Sequence, residues 1–373
     1  MTSAASHLST AILRPRLATY MAVAIMTLAL LAGCATRNNS KSEKENPVQL
    51  QWPAPPDPAR YEYEVTLRSA ADIEPETEDQ RVKRMLTGGS ISNEPLYKKP
   101  SAIAAHKGRV YVADPPTGSV IVFDVGRRKV FRIGVREPNN TQKPISLALD
   151  DKQNVYVLDA SLKKVLVYDS LGLFLFSVGD PKALTKPAGV AVSADGKKIF
   201  IVDRGGIEED DHKVIAYSPD GFEIFRIGPR GTGEGQLNVP LAASVAPDGS
   251  LLVLDSGNFR VQSFDAEGRY RFSFGQAGAG FGQFSRPRSI ATDKDGKIFV
   301  SDAAFNNVQI FDSTGALLMW IGNSSLRNNP GEFGLVAAIA ADETGRLYVT
   351  DHFHNKVEVY RPVRTTEAAS TNR

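Results

Sequence analysis

The side chains able to do chemistry are few in this 373-residue sequence, and their spacing restricts what they can do. His106, His212, His352 and His354 follow the N-terminal leader, and the last two form an H-x-H pair. A closed zinc site takes four converging ligands, and a catalytic one takes three plus a water. These histidines are scattered along the chain, so neither a metal nor a cofactor is assigned to them. Glu208, Glu209, Asp210, Asp211 and His212 form a dense acidic run. Adjacent carboxylates suit a hard cation, yet the run lacks the alternating ligand positions of a calcium loop. It reads instead either as a protruding recognition loop for a protein partner or as an inert insertion. No serine with a base, and no carboxylate pair at an acid/base spacing, can be assembled, so no catalytic residue is assigned.

A second set of carboxylates recurs. Asp114, Asp159, Asp203, Asp255, Asp302 and Asp351 close the runs RVYVAD, NVYVLD, KIFIVD, LLVLD, KIFVSD and RLYVTD. An asymmetric active site has no use for the same residue in every repeat. At a strand end, each aspartate reads as an acceptor for backbone N–H groups of the loop that follows, an Asx-type turn. The interval between them is about 40–50 residues, the length of a four-stranded propeller blade. Blade five shows the pattern: Pro287, inner strand SIATD, turn KDG, strand KIFVSD, loop AAFNN, strand VQIFD, turn STG, outer strand ALLMWIG. Asp-Gly and Ser-Thr-Gly between alternating apolar runs are hairpin signals. The sixth repeat stops at VEVYRP without an outer strand, and Tyr61–Leu67 alternates as that strand would. Closing the ring with it removes two exposed sheet edges. Pro75–Leu86 reads as a short helix, with Glu76, Glu78 and Asp79 early, Arg81, Lys83 and Arg84 late, and Gly88 after it.

The expected fold is all-β, a six-bladed β-propeller with an N-terminal strand closing the last blade. One rim collects the loops after each aspartate and the glycine-rich crossings 228–236 and 275–284. Neither crossing follows a strand and opens a helix, so a dinucleotide-binding reading fails. Phe259, Arg260, Phe305 and His352 lie in these loops. Arg288 stands at the channel mouth, where other blades carry Ser101, Ile145, Ala188 and Leu241. It either reads an anionic group on a partner or pairs with an acidic neighbour. Together with Glu208–His212, these residues form the expected contact set.

Blades four and five carry the motif most fully: a GxGxGQL/F crossing, a proline, an apolar strand, DG, a β run to Asp, then NFRVQ or NNVQ and F-D. This pattern resembles the NHL repeat, and the resemblance implies a six-bladed propeller. Some NHL-class lyases use zinc held by histidines from several blades, so the resemblance also admits a metal-dependent lyase or hydrolase. Leu31-Ala32-Gly33-Cys34 resembles the bacterial lipobox and follows an apolar run with Arg14 and Arg16 before it. That implies cleavage before Cys34, diacylation of its thiol and anchorage to a membrane without spanning it. Ala35 resembles the sorting signal for the outer membrane. The lead-in QWPAPPDPARYEYEV resembles those of bacterial NHL lipoproteins, some of them associated with c-type cytochromes.

The expected organisation is therefore a signal peptide (1–33), a lipidated tether (34–59), a closing strand with helix (60–95), the propeller (96–361) and a disordered tail (362–373). The one cysteine is consumed by lipid, so no disulfide staples the fold. Taking Arg14 and Arg16 from the 44 basic residues leaves 42, against 42 acidic ones. A neutral mature chain lacks the electrostatic footprint of a nucleic-acid binder. The sequence thus points to an envelope protein, tethered through lipid, that binds a protein partner.

Overall fold

A computed structural model describes residues 50–87, 94–206 and 209–363. The leader, Cys34, Glu208 and the tail beyond Val363 lie outside the described residues. Blades one to five are four-stranded antiparallel sheets in simple meander order. Their inner strands are Ala102–His106, Pro144–Leu149, Pro187–Val192, Pro240–Val245 and Pro287–Thr292. The sixth inner strand is Val336–Ala341, and it packs against both its sequence neighbour and the first inner strand, which closes the ring. The chain is a six-bladed β-propeller.

Burial follows strand position. Second and third strands such as Ile199–Asp203 and Lys213–Tyr217 are buried throughout, because each faces a neighbouring blade on both sides. Continuous apolar runs are what such strands require. Outer strands such as Phe174–Val178 alternate between half-buried and exposed residues. The core is therefore divided into inter-blade clusters rather than one centre. Tyr156, Leu158, Val165 and Val167 of blade two, for example, pack against Val190, Ile199, Ile201 and Ile215 of blade three.

Closure occurs as the alternation in Tyr61–Leu67 predicts. Tyr61 pairs with Pro362 and Leu67 with Val357, antiparallel, with a register shift between Tyr63 and Val65. The described helix, Glu78–Thr87, starts slightly later than expected. Thr77 caps it: its backbone N–H donates to the Gln80 side chain at 2.9 Å while its hydroxyl accepts from the Gln80 N–H at 3.3 Å. That reciprocal pair is a capping box.

The tether ends sooner than its proline-rich composition implies. Gln51–Trp52 adds a fifth strand to blade six, pairing Gln51 with Glu62 and Trp52 with Tyr61. The Trp52 ring meets Tyr360 edge-on, with centroids 5.1 Å apart. It also lies over Gly331, whose φ of 79° and missing Cβ leave room for the indole. The tail is corrected at the other end, since Pro362 belongs to the strand Lys356–Pro362.

Trp52→Ala removes this aromatic contact and uncovers the closing sheet. The expected loss is about 2 kcal/mol of unfolding free energy, read as a lower urea midpoint with an unchanged m-value.

Candidate functional site

Each recurring aspartate is fully buried and works harder than an Asx turn. Asp159 accepts from the N–H groups of Ser161 and Leu162 in the following loop, at 2.9 and 3.0 Å. It also accepts from Gln142 and Lys143, which lead into its own blade's inner strand, at 2.6 and 2.8 Å. Asp203, Asp302 and Asp351 repeat both halves of this arrangement. Asp114 holds the lead-in N–H groups of Lys98 and Lys99. Asp255 holds Asn238 N–H at 2.6 Å, and its other oxygen takes the Asn258, Arg260 and Gln262 side chains. The carboxylate is thus a clamp between two loops at the same end of the blade.

The clamp fixes the residue just before the inner strand, and in four blades that residue is a cation. Lys99, Lys143, Lys186 and Arg286 each precede a proline, in blades one, two, three and five. A following proline holds such a residue in extended backbone. Lys99, Lys143 and Lys186 line a bowl of about 820 Å³ over the central channel, together with Arg204, Arg288 and His352. Ser101, Gln142, Ser161 and Thr185 supply hydroxyl and amide groups, and Ile145, Ala188, Leu241 and Ala337 lie toward the channel. Among the described residues, no carboxylate and no Phe, Tyr or Trp ring lines this bowl. Below it, the channel wall is made mostly of Ala, Ile, Leu and Val.

Positive charge predominates in the bowl. Arg288 is half-buried and, among the described residues, makes neither a hydrogen bond nor an ion pair. Burial, then the nearby Arg286 and Arg204 charges, push its guanidinium below the usual arginine range. His352 is lowered to about 4, first by burial and then by Lys99 and Arg288, with Asp351 and the Pro100 carbonyl acting the other way. Its Nε2 is buried without a hydrogen-bond partner. Neutral His352 beside unpaired cations is the state expected where positive charge is in excess.

Only Arg288 and His352 of the expected contact set line the bowl. Glu209 and Asp210 are exposed, while Glu208 lies outside the described residues. Asp211 turns inward: burial raises its carboxyl, but Lys213 and Thr185 bind it strongly enough to hold it below the usual range. The Thr185 hydroxyl donates to it at 2.6 Å. His212 corrects the expectation outright, being 1 % exposed. Its Nδ1 accepts the Val239 N–H at 3.1 Å, so Nε2 carries the proton toward the Gly206 carbonyl at 3.0 Å. His212 thus serves as a polar peg between two loops, which removes it as a surface contact.

Arg260 is engaged within the fold. It pairs with buried Asp255 at 2.9 Å and donates to the Gly233 and Gln236 carbonyls, bracing the glycine-rich crossing. Phe259 closes a short turn with φ of 55° and packs partly against the cluster of Leu254 and Phe284. Phe305 is half-buried and, like Phe259, stands outside the bowl. His106 pairs with Glu343 at 3.1 Å in the turns of the opposite face. His354 stands 3.5 Å from the Ser325 carbonyl. Among the described residues, no three His, Cys, Asp or Glu side chains are arranged to hold a metal. The sequence signal that was missed is the recurrence of Lys-Pro at 99, 143 and 186 and of Arg-Pro at 286.

No protein-family model matches the chain, and no curated protein matches it. Solved structures are similar in fold. A Bacteroides thetaiotaomicron protein of unknown function aligns with a TM-score of 0.59 and 16% identity, over 80% of this chain and 76% of its own. A gluconolactonase from Xanthomonas campestris aligns at 0.55 and 17% identity, over 81% and 98%. A streptogramin B lyase aligns at 0.52 and 11% identity, over 72% and 94%. At these identities the likeness establishes the propeller and leaves the chemistry to the residues.

Asp159→Asn replaces an all-acceptor group by one that offers a single acceptor oxygen to four backbone donors. Buried N–H groups left unpaired cost about 2–4 kcal/mol in total, measurable as a lower urea midpoint. His352 gives a pH signature. It stays neutral in the folded chain down to about 4 but protonates near 6.5 once unfolded. Between those values the unfolded state binds more protons, so stability falls as pH falls. His352→Gln removes that part of the loss. Denaturation midpoints between pH 7 and 4 should therefore fall less steeply for the variant than for the parent chain.

Proposed function

We propose that this chain is a lipid-anchored, extracytoplasmic binding module of the NHL type that docks a protein partner on the rim carrying the post-aspartate loops. The observation that carries this reading is the bowl itself: Lys99, Lys143, Lys186, Arg204 and Arg288, unpaired among the described residues, with no carboxylate in its described lining. Surface cations left without partners in the free protein are groups available to an incoming ligand, and charge of one sign in a concave site steers association. Anchorage through Cys34 would confine the propeller to a membrane surface, where recognition by a fixed rim suits an accessory of an envelope complex, such as one containing a c-type cytochrome. Sorting to the outer membrane follows the Ala35 resemblance.

The metal-dependent lyase or hydrolase reading draws on the streptogramin B lyase and the gluconolactonase among its structural neighbours. The local charge weighs against it at this mouth. A divalent cation approaching His352 would meet Lys99 and Arg288, the charges that already depress that imidazole.

The test is cross-linking of the full-length chain in its native membrane, followed by affinity capture. The captured partner should be lost with the double reversal Arg204→Glu and Arg288→Glu. It should be retained with Lys294→Glu, an exposed turn residue between the first two strands of blade five, on the opposite face. A partner held equally by all three chains would overturn the assignment of this rim.

A further inference from the structure

The bowl restricts its ligand further, an inference that rests on the binding reading above. Its cations do not converge on one point. Lys99, Lys143, Lys186 and Arg286 come from four different blades, and Arg204 and Arg288 add to them from blades three and five. None of these six side chains makes a hydrogen bond or ion pair among the described residues. All but Arg288 are exposed, so their long stems can follow a ligand across the rim. A small molecule with one carboxylate would meet only a fraction of this charge. The arrangement suits a chain that presents several anionic groups in succession.

The rest of the lining separates the chain types. Single-stranded nucleic acids are held by basic grooves together with aromatic platforms on which bases stack. The bowl has the first, but its described lining offers a single imidazole, that of His352, and no Phe, Tyr or Trp. What it offers beside the cations is the Gln142 amide and the Ser161 hydroxyl, with the Ser101 and Thr185 oxygens as acceptors, groups matched to a peptide backbone. Pro115, Pro116, Ile145 and Leu241 add apolar contact of the size that small aliphatic side chains fill. At about 820 Å³ the bowl holds a short segment rather than a folded domain. We infer that the channel mouth binds an extended acidic polypeptide segment of the partner, read through carboxylates by Lys99, Lys143, Lys186, Arg204, Arg286 and Arg288.

The experiment uses the purified full-length chain and fluorescence anisotropy. The probe is a short labelled peptide of alternating Glu and Ser, with a Gln-for-Glu peptide, a single-stranded oligonucleotide and inorganic phosphate as comparisons. The acidic peptide should bind alone among these, and its affinity should fall as salt shortens the screening length. Arg204→Glu with Arg288→Glu should weaken it roughly tenfold or more, since each reversal turns an attraction into a repulsion. Lys294→Glu should leave it unchanged, and thermal unfolding of each variant verifies that the propeller is intact. Equal binding of the Gln peptide, or capture of oligonucleotide or phosphate without the acidic peptide, would overturn the inference. If the peptide fails while partner capture still depends on Arg204 and Arg288, the acidic-segment inference falls and the binding module stands. If neither depends on those arginines, both fall.

Discussion

The buried aspartate at the end of each second strand is the interaction on which the rest of the molecule depends. An ionised carboxylate is costly to bury unless every lone pair is met. Asp159 meets that cost with four backbone N–H groups drawn from two loops. Both loops are thereby fixed at the same end of the blade, one leading into the innermost strand and one leaving the second. Because the donors are backbone groups, the side chains of those loops are free to differ from blade to blade. The repeat keeps its scaffold constant through the aspartate and places its variation one residue away, on the rim.

Blade six shows how the same scaffold tolerates a change of chemistry. In blades four and five, Gln262 and Gln309 each accept an N–H from the glycine-rich crossing, from Gly235 and Gly282, and donate to the Gln236 and Gln283 carbonyls. A neutral amide supplies both functions. In blade six, Glu358 accepts the Gly331 N–H at 2.9 Å and Lys356 donates to the Asn329 and Glu332 carbonyls at 3.1 and 2.8 Å. The two are paired at 2.5 Å with both side chains about 1 % exposed. An acid and a base thus divide between them what one amide does elsewhere. Such a buried pair is demanding, since removing either member strands the other charge. Trp52, Tyr63 and Tyr360 cover this blade, and the two N-terminal strands complete it.

The fold was legible because its signals are periodic. The six Asp-closed runs fixed blade number, and the alternation of Tyr61–Leu67 fixed ring closure. The site was legible only in part, for two physical reasons. Burial cannot be read from a charge run: His212 and Asp211 looked like solvent-facing members of an acidic loop, yet both find hydrogen-bond partners within the fold. A partner cannot be read from a lone arginine either. Arg260 and Arg288 look alike in sequence, but Arg260 finds Asp255 while Arg288 finds only other cations. Trp52 was hidden by its neighbours, because proline-rich sequence describes the backbone of a linker and says nothing about where one aromatic ring docks.

The basic mouth escapes composition for a related reason. A whole chain with 44 basic and 42 acidic residues reads as neutral. Each blade donates at most one or two cations to the mouth, and many of its acids are engaged elsewhere, in clamps, turns and outer-strand pairs, although Glu209 and Asp210 stay exposed. Closing the ring then gathers residues that are far apart in sequence onto one small surface. The buried clamp carboxylates keep their charge, so they offset this excess only in part. The two arginines outweigh any aspartate at Arg288, whose guanidinium is lowered by burial, Arg286 and Arg204. At His352 the clamp residue Asp351 acts more weakly than Lys99 and Arg288. Local excess charge is therefore a product of topology: the same residues in an open array of blades would form separate, weak patches, and only the closed propeller brings them close enough to act together.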